Sequence, residues 1–215
     1  DPDRITMGQT AARERNPSHT AYLKIAAGCS RRCTYCIIPR LRGHQKSRPP
    51  DHIIAEAREL IGNGVKELNL VAQDTTHYGH DLSDPVSFET LLVHLSEVVG
   101  ETWVRFLYGH PESVQPDVFA AVAKHANVCS YFDIPIQHAS DQVLKRMGRH
   151  YSADALATLF DTVRQTVPDV ALRTTVITGF PGESDADHEA TRGHLRIAIY
   201  GSRASTIHRS SAPAR

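Results

Sequence analysis

Long apolar runs are missing from this sequence, and so are cysteines in number, aromatics in bulk and any net excess of charge. No stretch approaches the roughly 18 consecutive apolar residues that a bilayer span requires, so no transmembrane helix is expected. The 215 residues are 40% hydrophobic and 7% aromatic at a mean hydropathy of −0.33, the range of a soluble globular chain. Four cysteines are few for a disulfide-built secreted protein of this length, which points to a reducing compartment and hence to the cytoplasm. The chain opens Asp1-Pro2-Asp3-Arg4 with no initiator methionine and no basic-then-apolar leader, as expected of a piece of a longer, non-secreted protein.

Basic and acidic residues both number 24, but they are unevenly spread. Residues 1–50 hold ten basic and three acidic side chains, 51–191 nine and 21, and 192–215 five and none. A nucleic-acid binder carries its basic excess over the folded domain, and here the bulk of the chain is acidic. No direct nucleic-acid grip is expected from the core.

At roughly 150 residues per domain the length suits one sizeable core. Residues 1–20 lack a hydrophobic period and read as a linker or lead-in. From there strand-like and helix-like segments alternate: strands at 22–27, 65–72, 103–108, 131–136 and 171–178, and helices at 53–62, 88–99, 116–125, 141–147 and 153–167. Strands separated by helices of this length must pair in parallel through crossovers. The expectation is an α/β fold, a partial (β/α) barrel truncated after the fifth strand, with a core over 21–190. After Asp187 the rhythm fails; LRIAIY at 195–200 is at most a covering strand, and 191–215 reads as an aberrant, disordered tail.

In parallel β/α folds functional groups collect at the carboxyl ends of strands. Those positions here carry the Cys29 to Cys36 run, Gln73-Asp74-Thr75-Thr76, His110-Pro111-Glu112, Gln137-His138, and Arg173 with Thr178-Gly179-Phe180-Pro181-Gly182-Glu183. The run holds three cysteines, Cys29, Cys33 and Cys36, spaced C-x3-C-x2-C. They are too close together to staple a fold and read as metal ligands. Structural zinc wants four closed ligands in paired C-x2-C knuckles, and only His44 offers a fourth. Three thiolates on an iron–sulfur cluster leave one iron open, which suits a cluster that must also bind a small molecule.

The segment AAGCSRRCTYC resembles the C-x3-C-x-aromatic-C signature of radical S-adenosylmethionine enzymes, carried on the loop after the first strand of a partial barrel. The stretches CIIPRLRGHQKSRP, ELNLVAQDTTHYGHDL, YFDIPIQHASDQVLKRM and ALRTTVITGFPGE narrow the likeness to the methylthiotransferases, in particular those acting on an aspartate of a small-subunit ribosomal protein. Relatives that modify tRNA adenosine typically show Gln-Asn where this chain has Gln73-Asp74-Thr75-Thr76.

This resemblance implies a 4Fe-4S cluster on Cys29, Cys33 and Cys36, S-adenosylmethionine on its open iron, an electron donor such as flavodoxin or ferredoxin, and methylthiolation at the aspartate β-carbon. It also implies an upstream domain with three further cysteines and a downstream small β domain, neither within this chain. The alternatives are a tRNA-modifying relative or a noncatalytic metal-binding fragment.

For single residues the expectations stay double. Tyr35 lies near the cofactor adenine or simply packs the loop. Arg173 meets the methionine carboxylate of the cofactor or a core acid such as Asp133. Gln137 binds cofactor or satisfies loop backbone, and Asp74 contacts substrate or cofactor, or caps Thr75 and Thr76. The basic loop Arg40 to Arg48 steers an acidic partner or is merely solvated. Cys129, inside a strand-entry segment, reads as a structural thiol.

Overall fold

The computed structural model of the chain describes residues 19–198 and 209–211. Its elements follow one another as β1 (Thr20–Lys24), β2 (Ala26–Ala27), α1 (Ile38–Arg42), β3 (Lys46–Ser47), α2 (Pro50–Gly62), β4 (Glu67–Val71), α3 (Phe88–Val98) and β5 (Trp103–Phe106). Then come α4 (Pro116–Lys124), β6 (Tyr131–Asp133), α5 (Asp141–Arg146), α6 (Ala153–Thr166), β7 (Ala171–Arg173), β8 (Val176–Thr178), α7 (Asp185–Ala198) and β9 (Arg209–Ser211).

The helices sit where local chemistry starts them. Proline opens α2 and α4 at a position whose N–H has no helical partner. The Ser87 hydroxyl accepts from Thr90 N–H at 3.0 Å ahead of α3, and Ser152 from Ala155 N–H at 3.2 Å ahead of α6. The longer helices turn an apolar stripe inward, Ile53, Ile54, Ala57 and Leu60 on α2 for instance, while β4 buries Leu68, Asn69 and Leu70 in succession as a strand covered on both faces must.

β1, β4 and β5 pair in parallel in that order, and β6 pairs in parallel with β7. Backbone bonds carry the sheet from β5 towards β6: Val104 N–H donates to Asn127 O at 2.8 Å, Cys129 N–H to Val104 O at 2.9 Å, and Gly109 N–H to Asp133 O at 2.8 Å. The result is an arc of neighbours in chain order, the signature of right-handed β/α crossovers. Behind it Phe88, Phe106, Phe132 and Phe119 stack edge to face at 5.1 to 5.4 Å in one continuous core.

Three expectations change. The fifth strand is two: Thr174 interrupts it, its hydroxyl accepting from Ile136 N–H at 3.2 Å and donating to Ile134 O at 2.7 Å, so a side chain takes over ladder bonds that backbone would make. The helical rhythm continues beyond Asp187, because α7 runs unbroken through position 190 to Ala198; Leu195, expected on a strand, lies on the helix and is buried against the core. Finally, β9 adds a short strand parallel to β8, although no pairing among the described residues joins it to β1, so the arc is not closed into a barrel. The remainder of the expected disordered tail, and residues 1–18 of the lead-in, lie outside the described residues.

Candidate cofactor cavity at the strand ends

The cysteine loop leaves the sheet after β2 and returns at β3, which pairs antiparallel with β2 and so pins both ends of the excursion. Gly28 makes this possible. It holds φ +77°, and a Cβ there would lie 2.3 Å from the His44 carbonyl oxygen. Cys29 N–H donates to Gly43 O at 3.1 Å across the same neck. Further along, the loop is stitched to the end of α5: Thr34 N–H donates to Met147 O at 3.1 Å, and its hydroxyl to Arg146 O at 2.9 Å.

Cys29, Cys33 and Cys36, all free thiols, border one cavity of about 380 Å³ together with Tyr35, Asp74 and Gln137. It lies at the carboxyl ends of the strands, and six of the seven residues to which the sequence gave a ligand or cofactor role border it. The seventh does not. Arg173 stands off the cavity and donates from Nη1 to Asp133 Oδ2 at 2.8 Å, the second of the two partners open to it. His44 is exposed and does not border the cavity, and Cys129 lines a separate hollow beside Tyr131.

Asp74, 2% exposed, is fully engaged: Oδ2 accepts from Arg31 Nε at 3.1 Å, and Oδ1 from the Ser113 hydroxyl at 2.8 Å. The Tyr35 hydroxyl accepts from Arg149 Nη2 at 2.5 Å, and burial, outweighing that cation, pushes its phenol up to about 12. Burial likewise pushes the Cys29 thiol up, against a backbone N–H bond from Arg31 that lowers it. Ligation by metal would therefore have to drive off its proton.

Arg31 and His110, which stand at strand ends in the sequence, also border this cavity, and so do Arg149 and Tyr108, which the sequence did not single out. Arg149 follows a helix rather than a strand, and nothing in its neighbourhood marks it. Tyr108 and Gln137 hold φ of +63° and +66°, left-handed values unusual for side chains of this size. Tyr108 lies in the segment after β5 and Gln137 in the segment after β6, and both border the cavity, where such strain tends to gather at functional sites.

A mononuclear site needs its ligands around one point, zinc with four about 2.3 Å from sulfur to metal. Among the described residues no three His, Cys, Asp or Glu side chains converge in that way. The three thiols instead border the cavity from separate positions of one pinned loop, and this fits a cluster in which each thiolate takes its own iron.

The Radical SAM superfamily model matches residues 23–195. Among curated proteins the chain is similar to the ribosomal protein uS12 methylthiotransferase RimO of Desulfosudis oleivorans, 58% identical over 190 residues, 87% of this chain and 43% of that protein. It is similar to the protein of the same name from Geobacter sulfurreducens, 44% identical over 187 residues, 87% of this chain and 42% of the relative. The chain thus spans about two-fifths of the length of these relatives.

Solved structures share the fold at low identity. The radical S-adenosylmethionine methyltransferase TsrM of Kitasatospora setae aligns over 83% of this chain and 34% of its own, at TM-score 0.66 and 15% identity. Coproporphyrinogen III oxidase HemN of Escherichia coli covers 86% of this chain and 43% of its own, at TM-score 0.61 and 14% identity.

Proposed function

Because the chain belongs to the Radical SAM superfamily, we propose that its cavity holds a 4Fe-4S cluster on Cys29, Cys33 and Cys36 with S-adenosylmethionine beside it, and that the protein methylthiolates the β-carbon of an aspartate in ribosomal protein uS12. The observation that carries this is that the three thiols, Tyr35, Asp74 and Gln137 border one cavity. The aspartate substrate rests on the names of the relatives and on Gln73-Asp74-Thr75-Thr76, where tRNA-modifying enzymes typically show Gln-Asn. Free thiols clustered in this way suit the cytoplasm, where an acidic one-electron donor of the flavodoxin or ferredoxin type would serve the cluster.

When bound, the cluster and S-adenosylmethionine supply a carbon-centred radical able to take an unactivated hydrogen. The work of the chain is to position and to exclude water. The neck at Gly28 and the stitches from Thr34 hold three thiols in fixed relation. Ile38 and Ala72 give the cavity apolar wall, which keeps a reactive species from solvent. Tyr35 offers a ring face to a purine, Gln137 an amide held by its backbone, and Arg31 fixes the Asp74 carboxylate. Arg173 acts from behind, holding Asp133, whose carbonyl oxygen in turn receives Gly109 N–H next to His110.

Anaerobic reconstitution tests the reading. The chain should take up four irons and absorb in the visible, lose that absorption in Cys29→Ala, Cys33→Ala and Cys36→Ala, and keep it in Cys129→Ser. A colourless protein holding a single zinc would overturn it.

A further inference from the structure

The stretch from Cys29 to Arg48 carries six basic residues and no acid, whereas residues 51–191 hold nine basic against 21 acidic. Two of the six turn inward, Arg31 to Asp74 and Glu112, and Arg48 to Glu56 at 2.7 Å. Arg32, Arg40 and Arg42 are exposed, and no carboxylate of a described residue pairs with them. A positive patch on a predominantly acidic domain draws an acidic partner to that one face.

The patch has an apolar centre. α1 buries none of its residues, yet it is not a polar helix. Ile37, at its N-cap, is 53% exposed and Leu41 61%. The Ile37 carbonyl accepts from Arg40 N–H at 3.0 Å and Leu41 N–H at 3.1 Å, so the Ile37 and Leu41 side chains stand one turn apart on the same face. Pro39 stiffens the first turn, and Gly43 N–H donates to Pro39 O at 3.1 Å to close the last. Exposed apolar side chains inside a charged rim, on a helix ordered in advance, have the anatomy of a protein interface. Nucleic acid would match the charges but leave Ile37 and Leu41 against a phosphate backbone.

The patch also lies beside the cysteine loop. Ile37 follows Cys36 directly, so its Cα is about 3.8 Å from that of a thiol bordering the cavity, and Ile38 borders the cavity itself. α1 therefore has one side on the cavity and the other in solvent.

We propose that the exposed face of α1, with Ile37 and Leu41 at its centre and Arg32, Arg40 and Arg42 around them, is the docking surface for an acidic flavoprotein that delivers single electrons. The proposal rests on the function proposed above, which gives Cys36 a cluster that must be reduced. A flavin presents an apolar dimethylbenzene edge, which such a centre would cover. One electron leaves the flavin hydroquinone, which becomes the semiquinone, and enters the cluster, formally turning one ferric iron ferrous; no bond forms or breaks.

The experiment uses the reconstituted full chain and a bacterial flavodoxin, with visible absorption scored first. Binding is measured by calorimetry, and S-adenosylmethionine cleavage is driven in parallel by flavodoxin hydroquinone and by dithionite, a small reductant that needs no docking surface. Flavodoxin binding should weaken as salt rises from about 50 to about 300 mM. Arg40→Glu combined with Arg42→Glu should weaken it by about 10-fold or more and slow flavodoxin-driven cleavage, while the dithionite-driven rate holds. Leu41→Ser, a change at an exposed side chain, should weaken binding several-fold and leave its salt dependence unchanged. Arg58→Glu combined with Lys124→Glu, the same charge change at exposed positions of α2 and α4, should alter binding far less.

Wild type that binds no flavodoxin, equal binding by the α1 and control variants, or α1 variants that lose a single-stranded RNA and keep flavodoxin, each overturns this surface. A chain that assembles no cluster, or that cleaves no cofactor with dithionite, counts instead against the proposed function, and α1 is then judged on flavodoxin binding alone.

Discussion

A single hydrogen atom in place of a side chain at Gly28 decides whether the cysteine loop can leave the sheet. The left-handed φ of +77° and the contacts a Cβ would make, 2.3 Å to His44 O and 2.7 Å to Gly43 O, forbid any other residue without movement of the β2–β3 neck. Gly28→Ala should therefore destabilise the chain by about 1–3 kcal/mol from conformation alone, with the clash adding to it, and should lower iron uptake in reconstitution. Gly64→Ala is the control: φ is +89°, but nothing lies within 4 Å, so urea unfolding should register only the conformational part and iron uptake should not change. The cysteines announced themselves by spacing, whereas Arg149 could not, because its place at the cavity is set by what surrounds it and not by its sequence neighbours.

Among the elements, the break between β7 and β8 shows most clearly how a side chain can replace ladder bonds. Thr174 bonds both Ile134 O and Ile136 N–H from a buried position. Thr174→Val, nearly the same shape, would leave both groups without a partner and should cost about 1–3 kcal/mol in urea unfolding. Thr174→Ser should retain most of the stability; equal stability of the Val variant would mean that the hydroxyl carries nothing. The segment ALRTTVIT reads from sequence as one strand because β-branched residues fill it, and alternation cannot tell a pleat from an interruption. The same ambiguity misplaced LRIAIY: its first residues finish α7, whose inward stripe of Thr191 and Leu195 is spaced for a helix.

Across the whole molecule, burial holds the imidazoles of His77, His110, His138 and His194 below the ordinary histidine range. His110 is held lowest, at about 2, by burial and then by the Arg149, Arg31 and His77 charges facing it. Since these folded values lie below the unfolded value near 6.5, the unfolded chain binds more protons as pH falls. Their stabilising effect is complete above about pH 6.5 and declines on acidification, by about 2 kcal/mol at pH 5 for His110 alone. The urea midpoint should fall between pH 7.5 and pH 5, and His110→Gln should flatten part of that fall. A midpoint independent of pH over this range would contradict the burial of these rings.

The sequence by itself determined the α/β alternation, the order of the strands and the three cysteines, because periodicity and motif spacing are local properties written along the chain. It also placed Tyr35, Asp74 and Gln137 at strand ends, which in a parallel sheet is already placement at one mouth. Tertiary structure alone decided that Arg173 turns to Asp133, that Asp74 is occupied by Arg31 and Ser113, and that Arg149 reaches the same cavity from beyond α5. The reason is physical: a charged group takes whichever partner compensates its desolvation, and that choice depends on distances between segments far apart in sequence.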